Sequence, residues 1–365
     1  MSSGGTGDMV GDRFAMEIEH CDLAATGQEE EDAPQPLTPN LTRDQLVVEA
    51  LHVIRCREFT EYNPKTGLTV PTRFCQYNIA FFDLDKESKV VPRLPISMVP
   101  ASNFWRFEHS VNVISIKVAE SDMGYPINVY GTVLARDQYD YRCIHLFKHG
   151  RDNPQLIRSK KDMLTLTGPF RALAVTDSMF FEVHLKIKSD DAEADQDFSK
   201  ALLEHNASHH TRQPMAVQLK SCLSTVVMVY SPVPFAVEAS LEVKILKGAS
   251  HFNGKVTAWT TGNKNKINLY DSKMSGTQTE LGTGGFVALT RPVVAVPLDE
   301  GLVLKVSHKA ECFELVLQHD VGHDVEQCTL RLGSYELQVK VVWTAVDRQR
   351  RPKMWEHIGD LDVLW

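Results

Sequence analysis

The sequence predicts a mainly β protein: two tandem β-sandwich-like lobes from an internal repeat, preceded by a disordered acidic tail and one helix. Three observations carry this. First, a block recurs at an offset of 123 residues: Gly131, Val133 and Ala135 return as Gly254, Val256 and Ala258, and Ile144 and Leu146 as Ile267 and Leu269. Leu166-Thr167, Pro169 and Ala172 return as Leu289-Thr290, Pro292 and Ala295. Second, apolar residues alternate with polar ones over long runs. Third, residues 1–40 hold nine acidic residues against the single basic Arg13. The recurring positions are apolar or turn residues, which a repeated fold keeps, and no catalytic type of residue recurs.

Taken in order, residues 1–41 are rich in Gly, Ser, Glu, Asp and Pro, so they bury too little surface to offset chain entropy and are predicted to be disordered. Thr42-Arg43-Asp44-Gln45 fits a capping box. Leu46, Val47, Ala50, Leu51 and Ile54 follow at helical spacing, which predicts a helix over about 43–57. Asn63-Pro64-Lys65-Thr66-Gly67 marks a loop and closes a helix-and-loop segment, 42–70. The period then changes to two. Phe181 to Ile187, Leu241 to Ile245, Phe313 to Leu317 and Tyr335 to Trp343 each alternate apolar with polar, the pattern of antiparallel strands with one wet face. Each copy reads as a strand, a strand at the shared Gly, one at Ile-x-Leu, one at Leu-Thr-x-Pro, and a long alternating strand. One further helix is expected around Phe198 to His205. The lobes are assigned to 71–204 and 215–347, with a polar linker at 205–214 and a basic-then-apolar tail at 348–365.

The net charge of −8 sits entirely in residues 1–40, so the body is neutral and lacks the positive field that drives non-specific nucleic-acid binding. The seven cysteines are widely spaced, without a CxxC, and form neither a disulfide framework nor a zinc-finger spacing. The N-terminus has no secretory pattern and no apolar run reaches transmembrane length. A cytoplasmic or nuclear location is expected.

Candidate sites are few. His205, His209 and His210 cluster in the linker, and His319 and His323 bracket Asp320 near Asp324 and Cys328; zinc favours such donors, but polar loops contain them routinely. Asp177, Asp190, Asp191, Asp195 and Asp197 suggest loop carboxylates for calcium, with Asp299 and Glu300 at the equivalent place in the second copy; a solvated loop is the stronger reading. Gly282-Thr283-Gly284-Gly285 precedes Phe286-Val287-Ala288-Leu289, which reads as a strand rather than the helix a phosphate cradle needs, so a turn is expected. No GxSxG, HExxH or P-loop occurs. Arg348-Gln349-Arg350-Arg351-Pro352-Lys353 reads as a solvated run. The apolar end, with Met354, Trp355, Ile358, Leu361, Val363, Leu364 and Trp365, reads as a segment packed back on a lobe or as an anchor for a partner. No catalytic, cofactor or metal residue is assigned.

The strings Arg73 to Ser88, Ser110 to Lys117, Val129 to Asp137, Leu166 to Leu173 and Leu332 to Ala345 resemble an uncharacterised plant domain, a domain of unknown function expanded in grasses. The resemblance covers about residues 73–346. It brings no established activity or site residue. Some relatives of that family are fused behind a ribosome-inactivating N-glycosidase domain, whose helix carries a Glu-Ala-x-x-Arg-like arrangement. Here Glu49-Ala50 is followed by Arg55 at six residues from the Glu, and residues 1–72 are too few for that fold. The resemblance implies at most a role beside defence or translation control. The expectation is a non-enzymatic interaction module with a protein partner. The alternatives are an RNA- or carbohydrate-acting enzyme with a site between the lobes, and a calcium-dependent membrane binder.

Overall fold

The computed structural model describes residues 42–74, 82–91, 94–190, 195–207, 212–319 and 324–347. The acidic tail and the residues after Asp347 lie outside them. Helix α1 (Arg43–Glu58) forms where the capping signature and spacing predict it, but its faces are reversed. Leu46, Val47, Leu51, Val53 and Ile54 are about half exposed, and His52 is the residue that α1 buries. The predicted loop is the turn of a hairpin, β1 (Thr60–Asn63) with β2 (Leu68–Pro71), and Gly67 supplies its left-handed backbone at φ 71°. Asn63 Nδ2 donates to the Lys220 carbonyl at 2.8 Å and ties the hairpin to the body.

Eight strands form the first sandwich: β3 (Ser110–Ser121), β4 (Ile127–Arg136), β5 (Ile144–His149), β6 (Gln155–Ile157), β7 (Ser178–Ile187), β8 (Gln196–Asn206), β9 (Met215–Lys220) and β10 (Ser224–Val233). One sheet runs β3-β10-β9, the other β5-β4-β7-β8 with β6 on β4. Val113, Ile116, Val133, Phe181, Val226 and Met228 close the core between them. The second sandwich has β11 (Ala236–Lys247), β12 (Lys255–Thr260), β13 (Asn263–Asp271), β14 (Val293–Pro297), β15 (Leu302–His308), β16 (Glu311–Leu317), β17 (Val325–Leu332) and β18 (Tyr335–Ala345). Its sheets run β14-β11-β18-β17 and β13-β12-β15-β16, around Val256, Leu304, Val306, Leu337 and Trp343. All named strand pairs are antiparallel.

The two copies share one topology except at β6 and β14, which pair with β4 and β11 respectively. β10 pairs with β3 and β9 as β18 pairs with β11 and β17, and β4 pairs with β5 and β7 as β12 pairs with β13 and β15. β8 on β7 matches β16 on β15. Apart from β6 and β14, the repeat therefore runs through β3–β10 and β11–β18. The offset falls from 123 at Gly131 and Gly254 to 111 at Ser224 and Tyr335, chiefly because residues 188–195 join β7 to β8 where 309–310 suffice between β15 and β16, and because β8 is longer than β16.

Four expectations are corrected. The first core takes in Leu219, Val226, Met228 and Tyr230, so the sandwiches divide between Val233 and Ala236 rather than at 205–214; His205 and Asn206 are in β8. Residues Phe198 to His205 are strand, not helix: β8 pairs with β7 from Ser178–Asn206 to Ile187–Gln196, and that partner overrides local helix propensity. Leu-Thr-x-Pro is irregular in both copies, and Phe286 to Leu289 make only an isolated bridge, Lys244–Phe286. Finally, residues 94–107 before β3 belong to the second core, whereas Phe74, Phe82 and Leu84 pack on Tyr141 and Phe180 of the first copy. Ile96, Val99 and Phe107 pack in the second core, and Ala345 N–H donates to the Leu94 carbonyl at 2.9 Å.

Candidate functional site

β3 of the first copy runs beside β13 and β14 of the second. Tyr139, Ala172, Val233, Ala236, Ala295 and Val346 form an apolar cluster across this seam. Asn112 then acts as a side-chain strand mimic: its Nδ2 donates to the Ala295 carbonyl at 2.7 Å and its Oδ1 accepts from Ala295 N–H at 3.0 Å. Glu238 of β11 accepts from Ala172 N–H at 2.7 Å and from the Ser240 hydroxyl at 2.9 Å. Burial pushes its carboxyl above the ordinary range, against the pull of those bonds. Beside it Arg171 and Asp137, both fully buried, form an ion pair. Asp137 also accepts from Ala174 N–H at 2.8 Å, and Arg171 donates to Ser88 Oγ at 3.1 Å. Deeper in the first sandwich Arg136 pairs with Glu182 at 2.7 and 3.0 Å.

The seam widens on one side into a cleft of about 140 Å³, lined from the first copy by Ile114, Ser115 and residues 163–166, and from the second by Lys255, Asn268, Asp271, Met274, Thr277, Thr290 and Arg291. Arg291 is 3% exposed. Its Nη2 donates to the Val113 carbonyl at 2.5 Å, and its Nε has no partner among the described residues. Burial alone pulls its pKa down to about 10. Lys255, by contrast, is neutralised by Asp271 at 2.9 Å. Thr165 Oγ1 and Asn268 Oδ1 are also buried without a partner among the described residues. The repeat places Gly168 where the second copy has Arg291, and a Cβ at Gly168 would collide with the His145 carbonyl oxygen. Only the second copy has room for a side chain here. A smaller pocket of about 20 Å³, room for a water, lies near Trp259, Asn263, Arg212 and Glu300.

The sequence-derived candidates do not assemble. His205 is buried edge-on to Tyr230, while His209 and His210 lie outside the described residues. His319 stacks edge-on to Trp343, and Asp324 accepts from Ser97 N–H at 2.8 Å; Asp320 and His323 lie outside the described residues. Cys328 packs partly against the second core. Asp177 and Asp195 stand at opposite ends of β7, a 10-residue strand and so about 30 Å long. Asp195 is held by Arg151 at 2.7 Å, which, with the Ser189 N–H and Tyr130 hydroxyl, brings its pKa to about 2. Asp197 pairs with Lys200 at 2.7 Å, Asp190 is exposed, and Asp191 lies outside the described residues. Asp299 and Glu300 both bind Arg212, at 3.0 and 3.1 Å. Among the described residues no group of three or more His, Cys, Asp or Glu is placed to hold a metal. The Gly282–Gly285 segment is a turn, closed by Gly285 N–H to the Gly282 carbonyl at 3.0 Å. Five described cysteines are free thiols. No described helix is long and apolar enough to cross a membrane. The basic run and the apolar end lie outside the described residues.

Sequence reasoning missed Arg291 and the pairs Arg171–Asp137 and Arg136–Glu182. The one available signal was divergence of the repeat: at the shared offset Arg136 faces Trp259, Arg171 faces Val294 and Glu182 faces Lys305.

Two eight-stranded antiparallel sandwiches joined by a pinned seam define a tandem β-sandwich protein. The chain belongs to the family described as Domain of unknown function (DUF6598), whose model matches residues 110–341, from the start of β3 into β18. Among solved structures it is similar to human GIVD cytosolic phospholipase A2, with 8% identity, TM-score 0.21, and coverage of 65% of this chain and 30% of that one. The chain thus spans about a third of that enzyme's length. It is also similar to the paired C2 domains of Extended-Synaptotagmin 2, with 7% identity, TM-score 0.24, and coverage of 73% of this chain and 97% of that one. At these scores the likeness bears on neither activity nor ligand. No curated protein matches the chain.

Proposed function

We propose that the protein is a non-enzymatic interaction module that binds a protein partner along the open edge of its second sandwich. One observation carries the reading. β16 and β17 are the edge strands of their two sheets and adjoin each other, with Phe313 42%, Val316 56% and Val325 50% exposed. An edge strand offers unpaired N–H and C=O groups to an added strand, and exposed apolar side chains set its register. The seam supports a non-catalytic role: an apolar cluster and hydrogen bonds pin it, and its carboxylates Asp137, Glu238, Asp271 and Glu300 are engaged by Arg171, by Ala172 N–H and Ser240, by Lys255 and by Arg212. An RNA- or carbohydrate-acting enzyme with its site there has less support on that count.

The strings shared with the grass-expanded domain support a plant protein with a role in defence or stress, and the free thiols support a cytoplasmic or nuclear location. The acidic residues 1–40 steer a basic partner, so their deletion weakens binding at low salt and leaves it unchanged at high salt. The test is affinity purification from grass leaf extract with wild type and Val316→Lys in parallel. A stoichiometric protein lost with the variant upholds the reading; retention by both proteins places recognition elsewhere.

A further inference from the structure

We propose that the cleft between the two sandwiches is a binding site for a small monocarboxylate with an apolar body. Buried charges in proteins are paired, because desolvating an isolated one costs several kcal/mol. The other two buried arginines among the described residues obey this, Arg171 with Asp137 beside the seam and Arg136 with Glu182 inside the first sandwich. Arg291 does not: at 3% exposure it meets one backbone carbonyl and no carboxylate among the described residues, and its Nε, like that of Arg171, has no partner among them. Pinning β3 accounts for Nη2 alone. A carboxylate in the cleft supplies the missing counter-charge, and Thr165 Oγ1, also unpartnered there, supplies a further donor.

Charge and size narrow the ligand. Lys255 is already neutralised by Asp271, so the lining presents one net positive charge. A monoanion balances it, whereas a phosphate dianion would be over-charged and would face Asp271. The walls contributed by Ile114, Met163, Leu166 and Met274 are apolar. The volume of about 140 Å³ is close to the roughly 150 Å³ that accommodates benzene in an apolar cavity. An aromatic or short aliphatic acid therefore fits.

Calorimetric titration of the full chain tests this with benzoate and hexanoate, against benzyl alcohol and inorganic phosphate. Both acids are expected to bind at one site, with the alcohol and phosphate at least about tenfold weaker. Absence of acid binding, or an alcohol or phosphate that binds as tightly, overturns the proposal. Arg291→Gln is expected to weaken benzoate about ten- to hundredfold, the worth of a charge-assisted hydrogen bond; unchanged affinity overturns it. Should Arg291→Gln fail to fold, Asp271→Asn decides. Freeing Lys255 is expected to tighten benzoate several-fold and admit phosphate, and unchanged affinities for both contradict the site.

Discussion

Arg171 and Asp137 show what the interior requires of a charge. Both are fully buried and pair with each other, and Ala172, Ala174 and Ser88 take up further bonds, leaving the Arg171 Nε without a partner among the described residues. Removing one partner strands the other, so Asp137→Asn is expected to cost about 3–5 kcal/mol in urea denaturation. A loss under about 1 kcal/mol would show that the pair is not desolvated as described. Glu238 carries the opposite lesson. Burial raises its pKa, so its folded form resists ionisation. Its contribution to stability is complete below the unfolded Glu value and declines as pH rises through the folded one. Relative to Glu238→Gln, the wild type should lose stability as pH rises above the ordinary Glu value of about 4, as seen in denaturation at several pH values. A constant difference between the two proteins across those pH values would refute the shift. None of these roles was legible in the sequence. An Arg or Asp at a strand end reads as a solvated residue until the second sheet covers it.

Among the elements, the strands β7, β11, β16 and β18 were legible from their alternation, but the alternation matches burial cleanly only in β18; β16 is exposed over most of its length and β7 buried on both faces. α1 was legible as a helix, but the apolar stripe that marks it faces outward. Leu51→Ala is therefore expected to change stability by no more than about 0.5 kcal/mol, against about 2–5 kcal/mol for Leu304→Ala in the second core. Equal losses in denaturant melts would mean that the α1 stripe is covered. β8 reads as a helix in the sequence because Phe198, Ala201, Leu202 and His205 also suit that spacing. Only the backbone groups of β7, which need a partner, decide otherwise.

For the whole molecule, the repeat exposed the number of sandwiches but misplaced their boundary. Its strongest matches lie in the first half of each copy, and the offset drifts where residues 188–195 lengthen the first. The cleft was illegible for a related reason. It is made by residues such as Ile114, Thr165 and Arg291 that no motif links and that meet only once the copies pack. The seam is pinned by Asn112, Arg291 and Glu238, so the two sandwiches should unfold in one calorimetric transition. Asn112→Ala removes both bonds to Ala295 and is expected to separate that transition into two. Two transitions in the wild type would show that the sandwiches are energetically independent.

The most direct test of the interaction-module claim is cross-linking mass spectrometry on the complex recovered by affinity purification, with wild type and Val316→Lys compared. Cross-links should concentrate at lysines in the strands that neighbour the edge and in the turn from β15 to β16, such as Lys305 of β15, Lys309 of the turn and Lys340 of β18, and the partner should be lost with the variant. A partner that is retained by Val316→Lys, or that cross-links only to the first sandwich, would contradict the open edge as the recognition surface.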